Sequence, residues 1–130
     1  MPNEWYSSSK YTYNGYPVYG PSQSDLSYYM SGYYPNGTAR PGNKYYNVTS
    51  SFSNYSTKVI YYRKLVPLYN SWGNLVGYQD SPHFSLVQSY NSSGGASTIR
   101  SKWGCRELVQ TSGMYFNSSG PYGYPTYFFN

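Results

Sequence analysis

Where the branched aliphatic side chains fall constrains this chain more than any other feature. Of its 15 Leu, Ile and Val residues, 12 lie between Val59 and Val109. These side chains supply most of the apolar area that a small core buries, so the core is expected from the middle of the sequence. The flanks carry tyrosine instead, with 12 of the 21 Tyr in residues 1–57 and four in residues 110–130. The expected organisation is one all-β domain of 130 residues, sandwich-like or an irregular barrel with long Tyr-rich loops and termini. Within it, a Tyr/Ser/Gly-rich N-terminal flank (1–57) and a Tyr-rich C-terminal tail (117–130) surround a β-rich core (58–116).

Leu, Ile, Val and Phe together number 20 of 130 residues. That share lies below the roughly 20% at which disorder sets in when net charge is also high. A net charge of +5 is modest, and the Tyr rings add apolar area that the aliphatic count misses.

The middle reads as strands. Residues 58–69 are dense in β-branched and aromatic side chains, and Pro67 makes the second half of this run an edge or a bulge. Gly73-Asn74, between Trp72 and Leu75, is a two-residue hairpin signal leading into a strand over 75–79. A further strand is expected over His83 to Tyr90, then a turn at Gly94-Gly95, then two more strands, Cys105 to Thr111 and Met114 to Phe116, around Ser112-Gly113. Helical spacing is poorly supported: only Arg100 to Gln110 has room for a helix, and Gly104 opposes it.

The N-terminal flank has turn signals at Asn14-Gly15 and Pro35-Asn36-Gly37. Gly15-Tyr16-Pro17-Val18-Tyr19 is echoed by Gly123-Tyr124-Pro125-Thr126-Tyr127, and more loosely by Gly32-Tyr33-Tyr34-Pro35. Tyr before Pro is held extended, so such a step displays its flanking rings on a stiff ribbon.

Catalytic chemistry finds little to work with. The lone histidine, His83, follows a turn and reads as structural. Ser, His and Asp residues make a triad through geometry that sequence proximity does not supply. Cys105 has no readable electropositive setting, and Glu4, Asp25, Asp80 and Glu107 form no recognisable carboxylate pair. No ligand spacing marks a metal site and no Gly-rich loop marks a phosphate site, so no cofactor is expected.

Binding is better supplied. Tyr, Ser, Gly and Asn fill 67 of the 130 positions. These are the residues that antibody loops use, because Tyr offers a rigid amphipathic surface and the small residues adapt around it. The expected function is a non-enzymatic structural or adhesive subunit of an extracellular assembly, such as a virion or a surface filament. Self-association, or contact with other subunits, would run through Tyr16, Tyr19, Tyr33, Tyr34, Tyr124 and Tyr127.

The alternative is a lectin-like carbohydrate-binding module using Trp72 or Trp103 with Tyr61, Tyr62, Tyr69 and Tyr78 as a stacking platform. Nucleic acid is the weakest of three partners. Lys102-Trp103 and Arg63-Lys64 sit beside aromatic rings, yet +5 over this length is little for a charge-driven binder. Met114 to Gly120 resembles the aromatic step of cell-wall-binding repeats in Gram-positive surface proteins; its neighbours do not repeat, and nothing is carried over from it.

No run of apolar residues is long enough for a spanning helix or for a signal peptide after Met1, so either the chain is a mature fragment given a new start or it is made in the cytoplasm and leaves by another route. The single Cys105 makes no internal disulfide. Asn-x-Ser/Thr triplets begin at Asn36, Asn47, Asn54, Asn91 and Asn117, and a chain this rich in Ser and Asn produces such triplets by chance.

Overall fold

A computed structural model of the protein describes residues 3–50, 57–92, 96–102, 108–112 and 124–130. The architecture is all-β, as the composition implies: among the described residues, strands form two sheets, with one short α-helix and one 3-10 turn. The chain forms two compact units, each built from two segments: residues 1–46 with 65–81, and residues 47–64 with 82–130.

Unit 1 begins with the 3-10 helix Asn3–Tyr6, followed by β1 (Tyr11–Tyr13), β2 (Tyr16–Tyr19) and α1 (Gln23–Met30). Its later segment supplies β5 (Leu65–Tyr69) and β6 (Leu75–Asp80), giving a sheet of order β1-β2-β6-β5. The β1-β2 hairpin turns at Asn14-Gly15, where φ is +52° and +82°. Two successive left-handed residues match the twist of the flanking strands, which is why Asn-Gly closes such loops. Strand β2 then runs parallel to β6, with Val18 opposite Tyr78 and Tyr19 opposite Gln79. Gly77 permits this approach, since a Cβ there would lie 2.9 Å from the Pro17 carbonyl oxygen.

Strand β5 is at the sheet edge, where the missing N–H of Pro67 leaves no interior ladder bond unmade, and its ladder with β6 is irregular between Leu68 and Tyr69. The expected hairpin is present with a longer loop. The strands stop at Tyr69 and resume at Leu75, because the Asn70 side-chain oxygen accepts from the backbone N–H of Trp72 (2.9 Å) and Asn74 (3.0 Å). That capture curls residues 70–74 instead of extending them. Gly73 turns at φ +79° and donates to the Asn70 carbonyl at 3.0 Å.

The helix was not expected. Ser22 and Asp25 form a reciprocal capping box: Asp25 N–H donates to Ser22 Oγ at 3.1 Å and Ser22 N–H to Asp25 Oδ2 at 2.9 Å. Leu26 and Met30, one turn apart, are its buried face. Trp5 is buried and meets Tyr29 edge-on at 5.2 Å. Arg40 fastens the following loop to the carbonyl-bearing end of the helix. Its Nε donates to the Tyr29 carbonyl at 3.0 Å, and its guanidinium lies 4.6 Å from the Tyr29 ring centre.

Unit 2 comprises β3 (Val48–Thr49), β4 (Val59–Arg63), β7 (His83–Tyr90), β8 (Ala96–Lys102), β9 (Leu108–Ser112) and β10 (Tyr124–Phe129). They form one antiparallel sheet of order β3-β10-β4-β7-β8-β9. The strand expected over His83 to Tyr90 is found with those bounds. Around residues 100–110, the described parts are the paired strands β8 and β9. The Gly94-Gly95 turn and residues 113–116 lie outside the described residues.

Alternation sorts β4 into two faces. Ile60 and Tyr62 join Ile99 and Phe128 in a buried cluster, with Val87 and Ala96 packed against it. Each such side chain contributes about 1.5–3 kcal/mol by leaving water. From the opposite face, Tyr61 meets Phe84 at 5.1 Å and Tyr127 at 6.1 Å, and Arg63 lies over both tyrosine rings. From the aliphatic stretch, this cluster draws Ile60, Ile99 and, at its margin, Val87, and Phe128 joins them from near the C-terminus.

Candidate functional site

Exposed apolar surface is unevenly divided. Among the described residues, Tyr13, Tyr16, Tyr28, Tyr33, Tyr34, Tyr46, Val66, Tyr69, Trp72 and Val76 are exposed in unit 1, against Leu86 and Tyr124 in unit 2. Charge divides the opposite way. In the segments of unit 1, Lys10, Arg40 and Lys44 balance Glu4, Asp25 and Asp80 to a net charge of zero. The segments of unit 2 hold the whole +5 of the chain.

Two aromatic surfaces stand out in unit 1. The first is on the sheet. The pairings Tyr13 with Tyr16, Tyr11 with Val18, and Val18 with Tyr78 place these side chains on one face. Tyr78 is met edge-on by Tyr13 at 5.4 Å and by Tyr16 at 6.2 Å. Val18 and Asp80 are buried at one end of this face, while Tyr13 and Tyr16 are open at the other. At the buried end, burial and then the Asp80 charge push the Tyr6 phenol up to about 12.

The second surface surrounds α1. Helical spacing puts Gln23, Ser27 and Ser31 in one row and Ser24 and Tyr28 in the next, away from Leu26 and Met30. With Tyr46 these residues line an open cleft of about 520 Å³. Tyr33 stacks on Tyr28 at 5.1 Å with the rings 15° from parallel. The Arg40 staple and the bond from Tyr45 N–H to the Met30 carbonyl (2.8 Å) hold the chain that carries Tyr46.

Of the ring residues proposed from sequence as a stacking platform, Trp72 is 85% exposed at the tip of the β5-β6 hairpin and Tyr69 is exposed beside it. Tyr78 is half-buried in the sheet cluster. Tyr61 and Tyr62 are corrected: both are 0% exposed, because the alternating strand β4 is covered on both faces, and neither presents a ring to a ligand. Trp103 lies outside the described residues, as do Cys105, Asn54 and Asn117. Among the rings proposed as assembly contacts, Tyr16, Tyr33, Tyr34 and Tyr124 are exposed, while Tyr19 and Tyr127 are half-buried. Tyr16-Pro17 and Tyr124-Pro125 both open strands, β2 and β10, so the repeated step is a strand start in each unit.

Sequence reasoning missed Tyr28 and Tyr46. The signal that could have found Tyr28 was the capping pattern Ser22 to Asp25 with Leu26 and Met30 one turn apart. His83 is held neutral near pH 7, since burial pulls its pKa down to about 4. Among the described residues no three of His, Cys, Asp and Glu come together as a metal site would require, and no helix is long and apolar enough to cross a membrane. No known protein family, curated protein or solved structure matches the chain.

Proposed function

We propose that the protein is a non-enzymatic structural or adhesive subunit, and that copies associate through the aromatic surface of unit 1 in an extracellular assembly such as a virion or a surface filament. The observation that carries this reading is the opposition between the charge of the units and the exposed apolar area of their described residues. Net charge near zero removes the repulsion that keeps copies apart, and exposed Tyr and Trp are the side chains that anchor interfaces. Unit 2, at +5, repels its own kind.

The partner is therefore a second copy, met unit 1 to unit 1 over the Tyr13–Tyr16–Tyr78 face and the hairpin tip. Trp72 has the attributes of an anchor, an indole 85% exposed on a turn fixed by two hydrogen bonds to Asn70. Sedimentation velocity over a concentration series tests this. Self-association is expected, and replacing Tyr13 and Trp72 together by Ala weakens it at least about tenfold, the loss of roughly 1.4 kcal/mol that truncating one interface anchor brings. A protein that stays monomeric at millimolar concentration refutes the reading.

A further inference from the structure

The cleft along α1 is separate from the sheet face just described and has a different chemistry. Among the described residues no charged side chain lines it: its walls are Gln23, Ser24, Ser27, Ser31, Tyr28 and Tyr46. An anion or a cation would find no counter-charge there. A purely apolar ligand would strand the hydroxyls and the amide.

Three features match a neutral polyhydroxylated ring. Tyr28 and Tyr46, 44% and 71% exposed, offer flat apolar faces. Tyr33 stacks on one face of Tyr28 and restrains the ring, so little side-chain freedom is lost when the other face is covered. The side chains of Gln23, Ser24 and Ser27 make no hydrogen bond among the described residues, and they stand at one-turn spacing as donors and acceptors. Ser31, by contrast, already donates to the Tyr28 carbonyl at 2.8 Å. The cleft's volume of about 520 Å³ falls in the range of small-ligand sites.

We infer that this cleft binds a neutral glycan, with sugar faces stacked on Tyr28 and Tyr46 and sugar hydroxyls bonded to Gln23, Ser24 and Ser27. The site stands independently of self-association through the sheet face.

The test is calorimetric titration of the full chain, at concentrations where sedimentation shows a single species, with neutral gluco-, manno- and galacto-hexasaccharides. At least one binds, with an affinity that does not change between low and high salt. Tyr46→Ala and Tyr28→Ala each weaken that binding about tenfold or more, Tyr46→Phe retains it, and Tyr124→Ala, in unit 2, leaves it unchanged. Tyr46 is open to water, so its removal leaves the melting temperature where it was, which separates lost binding from lost folding.

No binding of any of the three at about 10 mM overturns the inference, as does unaltered binding by Tyr46→Ala. Binding confined to sulfated or uronate-bearing oligosaccharides overturns the neutral class. Loss of self-association in Tyr46→Ala without any sugar binding assigns the cleft to a second copy and also overturns it. Failure of this test leaves the sedimentation result on Tyr13 and Trp72 untouched, so the two readings fall separately.

Discussion

Tyr62 and Tyr46 are chemically identical, yet one is 0% and the other 71% exposed. The difference comes from their surroundings in the chain. Tyr62 ends a Val-Ile-Tyr-Tyr run in an interior strand, whereas Tyr46 closes a Gly/Pro/Asn loop. A basic pair beside two rings suggested a binding surface at 61–64. Both rings are instead core because β4 is covered on each of its faces, and nothing local in the sequence marks which strands are so covered. Glycine poses the same difficulty. Gly20 is one of many in a Gly-rich chain, but a Cβ there would lie 2.5 Å from that of the buried Asp80. Gly20→Ala is therefore expected to lower stability by about 1–3 kcal/mol in urea unfolding, with the chain having to shift to admit the methyl group. An unchanged midpoint would mean that this approach is looser than the structure has it.

Elements declared by local chemistry were legible, and those declared by distant partners were not. Asn14-Gly15 and the 73–74 signal both mark real hairpins because a turn's demand for positive φ is written in two or three residues. The helix α1 is short, its apolar face has only Leu26 and Met30, and a capping box with Asp in the third position is easily lost in a Ser-rich stretch. Its cleft was illegible for a further reason: Tyr46 reaches α1 through the Arg40 staple and the Met30–Tyr45 bond, contacts no periodicity records. The hairpin tip offers a direct test. Asn70→Ala removes the acceptor of two backbone N–H groups, and the amides of Trp72 and Asn74 are expected to exchange with solvent about tenfold faster, the equivalent of one lost hydrogen bond each. The Ile60 amide keeps its protection. Equal rates at the tip would show that Gly73 and the backbone bonds alone set its order.

At the scale of the whole molecule, the opposition of a neutral unit and a basic one gives self-association a distinctive salt dependence. Two copies meeting through unit 1 still carry +5 each, so their residual repulsion is long-ranged and screened by salt. Association is expected to tighten between about 20 mM and 300 mM NaCl, whereas an interface made of ion pairs would loosen. A weakening measured by sedimentation would place the contact on the charged unit instead. The aliphatic distribution does not reveal how the chain is shared out, since residues 65–81, inside the aliphatic stretch, belong to the sheet of the Tyr-rich flank. That sharing rests on pairings between segments far apart in sequence, such as β2 with β6, which local pattern does not encode.

The strand order of unit 2 also bears on how the protein is made. Among the described strands β10 comes latest in sequence order, yet it sits inside the sheet, flanked by β3 and β4. Until residue 129 has cleared the ribosome, β4 waits with one open edge, and its row of unpaired N–H and C=O groups is a template for any extended chain nearby. Birth of the molecule thus includes an interval in which a nascent chain is competent to pair with the wrong partner, and arrival of β10 ends it.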